Sequence, residues 1–325
     1  MFEEIKEQEG VKKILTDHIN NNKINHCYIF LGKDGVGRLP MALAFAKSLV
    51  CENKNGCGKC KHCIQFEKRS VSDFILIDIP EGKKEIPVDT VREIIDEINI
   101  KPYIFPKKIV IINNADKMNV NAQNAILKAL EEPPSYVVFI LVVSNIMAVL
   151  PTIRSRGNII SFSGLSDKAI KEILKEKYDV DISTSLLGLC SGSAKTAYEI
   201  TANEKYKEIR KDILSLFYAF LTSPTEKNQL KLYSLITKCE NEIDFLINVM
   251  YTVITDMLVI DNANIMKNKD FSYDTNKTIS KKKGYDILNM ISQLKVRLST
   301  NVSFSLCVFA SLDEMRRILN ERIIS

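Results

Sequence analysis

The sequence predicts a parallel-sheet α/β domain followed by an all-α region. β-branched and aromatic runs alternate with helical patterns as far as about residue 163, the arrangement that gives a parallel sheet with helices on both faces. Past Ser163 those runs stop and the apolar spacing is helical. A glycine-rich turn separates the first strand from its helix, where open α/β sheets bind ligands.

Cys27-Tyr28-Ile29-Phe30-Leu31 reads as a buried strand, and the turn over 32–39 leads into a helix around 41–46. After a cysteine-rich insertion, a second strand covers 74–77. Asp89 is the expected N-cap of a helix carrying Val91, Ile94, Ile95 and Ile98. A strand over 108–112 precedes a helix from about 121 to 130, stopped by Pro133-Pro134. Residues 136–143 are apolar without alternation, so this strand is expected to be buried on both faces. A short helix, a basic loop at 151–157 and a short strand over 159–162 complete the domain.

Residues 164–203 read as a small helical unit around Ile170, Ile173 and Leu174, then Leu186, Leu187 and Leu189. From 204 the pattern is helical. Val302, Leu306, Phe309, Leu312, Met315 and Leu319 step by three or four, predicting one buried stripe on the last helix. The expected domains are 1–163, 164–203 and 204–325.

The 325 residues hold 45 basic and 40 acidic side chains, are 46% apolar and 26% charged, and carry a net charge of +5. These are globular proportions, unlike those of a disordered or collagenous chain. Residues 1–161 have 22 basic against 19 acidic groups, leaving 23 against 21 for the remainder. No basic tail or stripe advertises nucleic-acid binding. The start lacks the basic-then-apolar order of a secretory signal. The apolar run over 136–150 would span only about 23 Å as a helix, short of a bilayer core of about 30 Å. A cytoplasmic protein with no membrane partner is expected.

Gly32-Lys33-Asp34-Gly35-Val36-Gly37-Arg38-Leu39 sits where a phosphate-binding loop belongs. A working loop wraps phosphate in backbone N–H groups, brings a Lys to the β/γ-phosphates and offers a Ser/Thr hydroxyl to Mg²⁺. Gly32, Gly35 and Gly37 keep the frame, but Arg38 replaces the Lys and Leu39 the hydroxyl. A tight turn with no ligand is the competing reading. In ATPases of this type a later strand ends in acidic residues that hold Mg²⁺ and orient water. Here Asn113 and Asn114 fill those positions with amides, which are poor Mg²⁺ ligands and no general base. Asp116, two positions late, reads as an ordinary helix cap. Hydrolysis by this chain is not expected.

Four of the eight cysteines, Cys51, Cys57, Cys60 and Cys63, form C-x5-C-x2-C-x2-C. Four thiolates at that spacing suit a closed, structural tetrahedral Zn²⁺ site. Disulfides fit a cytosolic chain poorly, and His62 is a substitute for Cys51 as fourth ligand. Cys27, Cys190, Cys239 and Cys307 read as structural, as do His18 and His26. Arg154 and Arg156 lie on the basic loop as either solvated charge or an arginine finger, a cation aimed at phosphate on a neighbouring subunit. Glu131-Glu132 oppose a helix dipole by about 0.3–1 kcal/mol each. Solvation, or a basic partner across an interface, is expected to compensate them.

Together the segments Asn25-His26-Cys27-Tyr28-Ile29-Phe30, the four-cysteine insertion, Val88-Asp89-Thr90-Val91-Arg92-Glu93, Ala115-Asp116-Lys117-Met118 and residues 124–134 (NAILKALEEPP) resemble the AAA+ clamp-loader family of bacterial DNA polymerase III. The resemblance spans essentially the whole chain and is densest over 26–163. It implies an AAA+ P-loop domain with a zinc insertion, a helical lid over 164–203 and a C-terminal helical collar over 204–325. Ser155-Arg156 matches the family's Ser-Arg-Cys motif, which makes Arg156 the finger and Arg154 a lesser candidate. Gly157 departs from the Cys and is expected to loosen the loop. Asn145 matches the first sensor position and Lys195 the second, usually Arg, here vestigial beside a degraded site. The implied function is that of a non-hydrolysing subunit of a DNA-directed DNA polymerase holoenzyme. Its implied partners are clamp-loader ATPase subunits and a delta-type subunit and, through the assembly, the sliding clamp and primer-template DNA. An active ATPase subunit and a zinc-dependent nucleic-acid-binding module are the alternatives, and whether Arg38 retains a nucleotide stays open.

Overall fold

The computed structural model describes all residues except 70, 263–264, 299–302 and 322–325. Two compact units divide it: Met1–Ala169 with Gly192–Lys195, and Ile170–Ser191 with Thr196–Ser325. The segment 164–203, read from the sequence as a separate lid, is thus shared between them.

In the first unit the elements run α1 (Glu9–Asn20), β1 (Cys27–Leu31), α2 (Arg38–Val50), α3 (Lys61–Lys68), β2 (Phe74–Ile77), α4 (Val88–Ile98), β3 (Lys108–Ile112), α5 (Val120–Glu131), β4 (Val137–Val143), α6 (Pro151–Arg154) and β5 (Asn158–Ser161). The sheet is parallel, in the order β2-β3-β4-β1-β5. Every residue of β3 and β4 is buried. Because successive side chains alternate across a strand, the sheet feeds two cores. Tyr28, Phe30, Ile109, Ile111, Val138 and Ile140 pack with Leu15 of α1 and Met41 and Phe45 of α2. Cys27, Ile29, Val110, Ile112, Phe139 and Leu141 pack with Val91 and Ile94 of α4 and Ala122 and Ile126 of α5.

Several local expectations change. The N-cap of α4 is Pro87, and Asp89 lies inside the first turn, paired with Arg92 at 3.1 Å. The basic loop begins as the helical turn α6, with a proline at its start, the position where a missing N–H costs nothing. Helices α1 and α3 were not anticipated.

The second unit is helical: most of α7 (Asp167–Tyr178), then α8 (Thr184–Leu187), most of α9 (Ala194–Ala202), α10 (Glu204–Thr222), α11 (Glu226–Lys238), α12 (Ile243–Leu258), α13 (Lys281–Leu298) and α14 (Phe304–Asn320). The stripe on α14 is corrected: its buried face is Cys307, Val308, Ser311, Leu312 and Met315, whereas Leu306 and Phe309 are 64% and 41% exposed. Val302 lies outside the described residues. Among the described residues no helix is long and apolar enough to cross a membrane.

One ion pair anchors this unit. Buried Arg210 of α10 donates from Nη1 and Nη2 to Asp270 at 2.5 and 2.8 Å, and from Nη2 to Asn268 Oδ1 at 3.0 Å. The Arg210 hydrogen bonds hold the Asp270 carboxyl at about 2, against the pull of burial. A carboxyl depressed below its unfolded value of ~3.9 stabilises the fold above that pH and ceases to do so as pH falls toward the folded value. Asp270→Asn is expected to cost about 1–3 kcal/mol near neutrality, because a buried guanidinium loses its counter-charge. The difference from wild type should narrow as pH falls from about 5 toward about 2 in denaturant titrations.

Candidate functional site

The glycine loop continues β1: Gly32 N donates to Val143 O at 3.1 Å. Gly37, at φ 96°, is the N-cap of α2. Gly35, at φ 76°, is where glycine is required, since a Cβ there would sit 2.5 Å from Lys195 N and Ser193 Oγ. The segment Gly192–Lys195 thus lies directly against the loop, and Ala194 N donates to Gly35 O at 3.0 Å.

Arg38, first residue of α2, is only 4% exposed. Its Nη2 donates to Asp34 Oδ1 at 2.6 Å, while Lys195 Nζ donates to Asp34 Oδ2 at 2.9 Å. Burial pushes the Asp34 pKa up, but Lys195 and then Arg38 outweigh it and hold the carboxyl below its usual range. Burial dominates for Arg38 and lowers its pKa, against the opposing pull of Asp34 and Asp116. Arg38 Nη1 is buried with no hydrogen-bond partner. Leu39 offers no oxygen to a metal, and Pro40 removes one N–H from the first turn of α2.

At the end of β3 the two amides turn to a different carboxylate. Asn113 Nδ2 and Asn114 Nδ2 donate to the two oxygens of Asp78, each at 2.7 Å. Asp116, nearly buried, caps no long helix. It lies in the 3₁₀ turn Ala115–Lys117, and its oxygens accept the N–H groups of Ser144 and Asn145 at 3.2 Å each. That pins the end of β4. Asn145 Oδ1 in turn accepts Met147 N at 3.0 Å, capping the 3₁₀ turn Ile146–Ala148.

Arg156 is positioned by α5. Gln123 donates to Ala148 O at 2.9 Å and accepts Leu150 N at 2.8 Å, fixing the chain entering α6. Beyond α6, Arg156 Nη1 donates to Thr152 O at 2.7 Å, and Nη2 pairs with Glu131 Oε1 at 2.8 Å. Glu131, last residue of α5, therefore finds a basic partner within this chain, and Glu131 and Glu132 are both exposed, in keeping with the expected solvation. Arg156 keeps a third of its side chain exposed. Arg154 Nη1 instead meets Met147 Sδ at 3.8 Å. Gly157 does not loosen the loop: a Cβ there would lie 2.5 Å from Ile29 Cδ1, so the glycine allows the chain to press on β1.

The cysteine insertion runs from the end of α2 to α3. Cys51 caps α2, and Cys60 is the N-cap of α3, its Sγ accepting Cys63 N. Cys57 N donates to Cys51 Sγ at 3.5 Å and Cys60 N to Cys57 Sγ at 3.4 Å. The four sulfurs lie within 4.8 Å of one another, with Cys60–Cys51 at 3.9 Å and Cys57–Cys63 at 4.0 Å. A tetrahedron with metal–sulfur bonds of about 2.3 Å has edges of about 3.8 Å, so the set fits a metal ion. All four are free thiols rather than disulfides. The convergent set is the four cysteines without His62, whose Nδ1 lies 2.9 Å from Val50 O. Burial pushes the Cys51 thiol up, but backbone N–H groups of Cys57, Asn55 and Asn53 overcome it and bring it to about 6. Cys27, Cys190, Cys239 and Cys307 are buried.

The family described as DNA polymerase III, delta subunit, matches residues 7–166. The match spans most of the α/β unit. The delta' subunit of DNA polymerase III from Bacillus subtilis is 31% identical over 214 residues, covering 65% of this chain and 64% of that protein. The tau subunit from the same organism is 33% identical over 172 residues, covering 52% of this chain and 30% of its own length. This chain therefore spans less than two thirds of each of these relatives. A gamma-subunit-related protein of Thermotoga maritima aligns with 94% of this chain and 99% of its own at 20% identity and a TM-score of 0.42.

In this chain Arg38 and Lys195 converge on Asp34, a residue next to Gly35 that the sequence did not single out. Gly32 approaches Phe162 instead, where an added Cβ would lie 2.9 Å from Phe162 Cβ. Asn145 stands with Asp116, and Arg156 with Glu131 and Thr152. Asp34, Asp78, Gln123 and Glu131 were missed as functional neighbours. Asp34 carried a local signal in its i, i+4 spacing to Arg38, and Glu131 one in its place against the helix dipole.

Proposed function

We propose that this protein is a non-hydrolysing, delta-prime-type subunit of the DNA polymerase III clamp loader. The observation that carries the reading is the state of its own nucleotide loop: Arg38 is committed to Asp34, Leu39 replaces the metal-binding hydroxyl, and the amides of Asn113 and Asn114 are committed to Asp78. Such a loop lacks both the metal ligand and the general base of an ATPase. Arg156, held at the end of α5 with its guanidinium partly open to solvent, acts in trans on ATP bound by an adjacent ATPase subunit. Asn145 and Lys195, at the sensor positions, are relics of hydrolysis.

The four cysteines hold a structural Zn²⁺ that fixes the insertion. Residues 164–203 form the lid, and the helices from 204 onward join a collar with the ATPase subunits and a delta-type subunit. The cytoplasmic assembly opens a sliding clamp and closes it on primed DNA as part of the polymerase holoenzyme. The test is clamp loading on primed DNA by an assembly reconstituted with and without this chain, paired with phosphate release by the isolated chain. Loading that needs this chain, which alone releases no phosphate from Mg-ATP, is the expected result. Turnover by the isolated chain would make it a motor subunit instead.

A further inference from the structure

Both cations that face the loop bind the same internal carboxylate. Arg38 Nη2 takes Asp34 Oδ1 at 2.6 Å and Lys195 Nζ takes Asp34 Oδ2 at 2.9 Å. The carboxylate is a planar oxyanion with one oxygen for each cation, and phosphate would engage the same two groups by the same charge-assisted hydrogen bonds. Arg38, Lys195 and the N-terminus of α2, with its partial positive charge, face Asp34, while Asp116 acts on Arg38 as a second carboxylate without bonding to it. Arg38 Nη1, on a side chain that is 96% buried, has no acceptor at all, and a buried donor of that kind is costly to leave unpaired. The arrangement has the donors of an oxyanion site, one of them a buried donor that, among the described residues, the resident anion leaves unpaired.

We propose that Asp34 is a built-in anion that occupies a latent diphosphate site, keeping Arg38 and Lys195 from phosphate, and that removing its charge opens the site to inorganic pyrophosphate or the diphosphate of ADP. The proposal rests on reading residues 32–39 as a phosphate-binding loop that no longer hydrolyses ATP. It adds the reason such a loop stays empty: loss of the metal ligand stops chemistry, whereas the Asp34 carboxylate blocks binding. Opening the site does not restore turnover, because Leu39, Asn113 and Asn114 are untouched.

The test is calorimetric titration of pyrophosphate and of ADP into the full-length, metal-loaded chain, as wild type, Asp34→Asn, Asp34→Ser, and Asp34→Asn combined with Lys195→Gln. Asp34 and Lys195 are both about half exposed, so these variants are expected to keep the wild-type thermal midpoint, which is checked first. Each single variant should bind pyrophosphate at least about tenfold more tightly than wild type, the scale of one charge-assisted hydrogen bond regained. The double variant should lose most of that gain. Folded single variants that bind no better than wild type overturn the proposal. So does a double variant that binds as tightly as Asp34→Asn, which would place the anion elsewhere. No partner subunit is present, so failure here leaves the trans role of Arg156 standing, and failure of that role leaves this result readable.

Discussion

Replacing Arg156 with alanine is expected to slow DNA-stimulated ATP hydrolysis at the neighbouring site by about 10³-fold or more, the scale of an arginine finger, while the subunit folds and assembles. The side chain supports little of its own fold: one ion pair to Glu131 at the surface and one bond to the Thr152 carbonyl, the kind of exposed contact worth about 0–1 kcal/mol. Its loss should therefore leave the thermal midpoint nearly unchanged while removing the charge that the proposed finger would bring to the transferring phosphoryl group. Arg156→Lys should recover only part of the rate, since an ammonium lacks the planar fork. Glu131→Gln separates holding from catalysis: the guanidinium keeps a neutral acceptor, so hydrolysis should fall far less than in the alanine variant. Hydrolysis measured on reconstituted assemblies of verified composition decides this. An assembled Arg156→Ala complex with wild-type turnover removes the finger assignment.

Why Arg156 was legible in the sequence and its support was not follows from the range of each interaction. Short contiguous β-branched and aromatic runs bound β1, β2 and β3 to the residue, although β2 is only partly buried and β3 opens on Lys108. The glycine frame and the cysteine spacing are equally local, because a turn and a tetrahedral site both restrict neighbours in sequence. Helix α1 escaped notice because its core contact is a narrow stripe, Val11, Leu15 and Ile19, among charged residues. In α14 two apolar faces compete, and periodicity cannot say that Cys307 and Val308 go inward while Leu306 and Phe309 stay out. The carboxylates that complete the sites, Asp78 beneath Asn113 and Asn114 and Glu131 beside Arg156, are brought in by the sheet order and by the packing of α5. Nothing in its own neighbourhood marks Asp78, and the unfavourable dipole position of Glu131 does not say which cation it meets.

Removing the metal from the cysteine centre is expected to unfold the insertion and leave the sheet in place. Helix α3 has eight residues, well short of the ~12–15 that are marginal for an isolated helix in water, and its N-cap is the sulfur of Cys60. Its main apolar hold on the domain is Phe66, whose ring packs at 4.4 Å from Phe74 and 6.4 Å from Phe105 between ring centroids, beside the Lys47–Glu67 ion pair and the His62–Val50 contact. With metal bound, four sulfurs converge at little cost. Without it, thiolates at these separations repel one another, and the protonated thiols offer only weak donors and acceptors. A structural zinc contributes about 10–16 kcal/mol of apparent binding energy in peptides that fold only around it. Here the sheet has its own core, so the share lost should be nearer the ~3–5 kcal/mol of withdrawing one buried phenylalanine and its neighbours. Chelation, or Cys60→Ser, should therefore lower the denaturation midpoint of the α/β unit and expose residues 51–68 to protease, with the parallel-sheet signal retained. One equivalent of Zn²⁺ should reverse the chelator's effect and not that of Cys60→Ser. Equal midpoints and equal cleavage with and without metal would mean that the cysteines pack as thiols and that the insertion stands by itself.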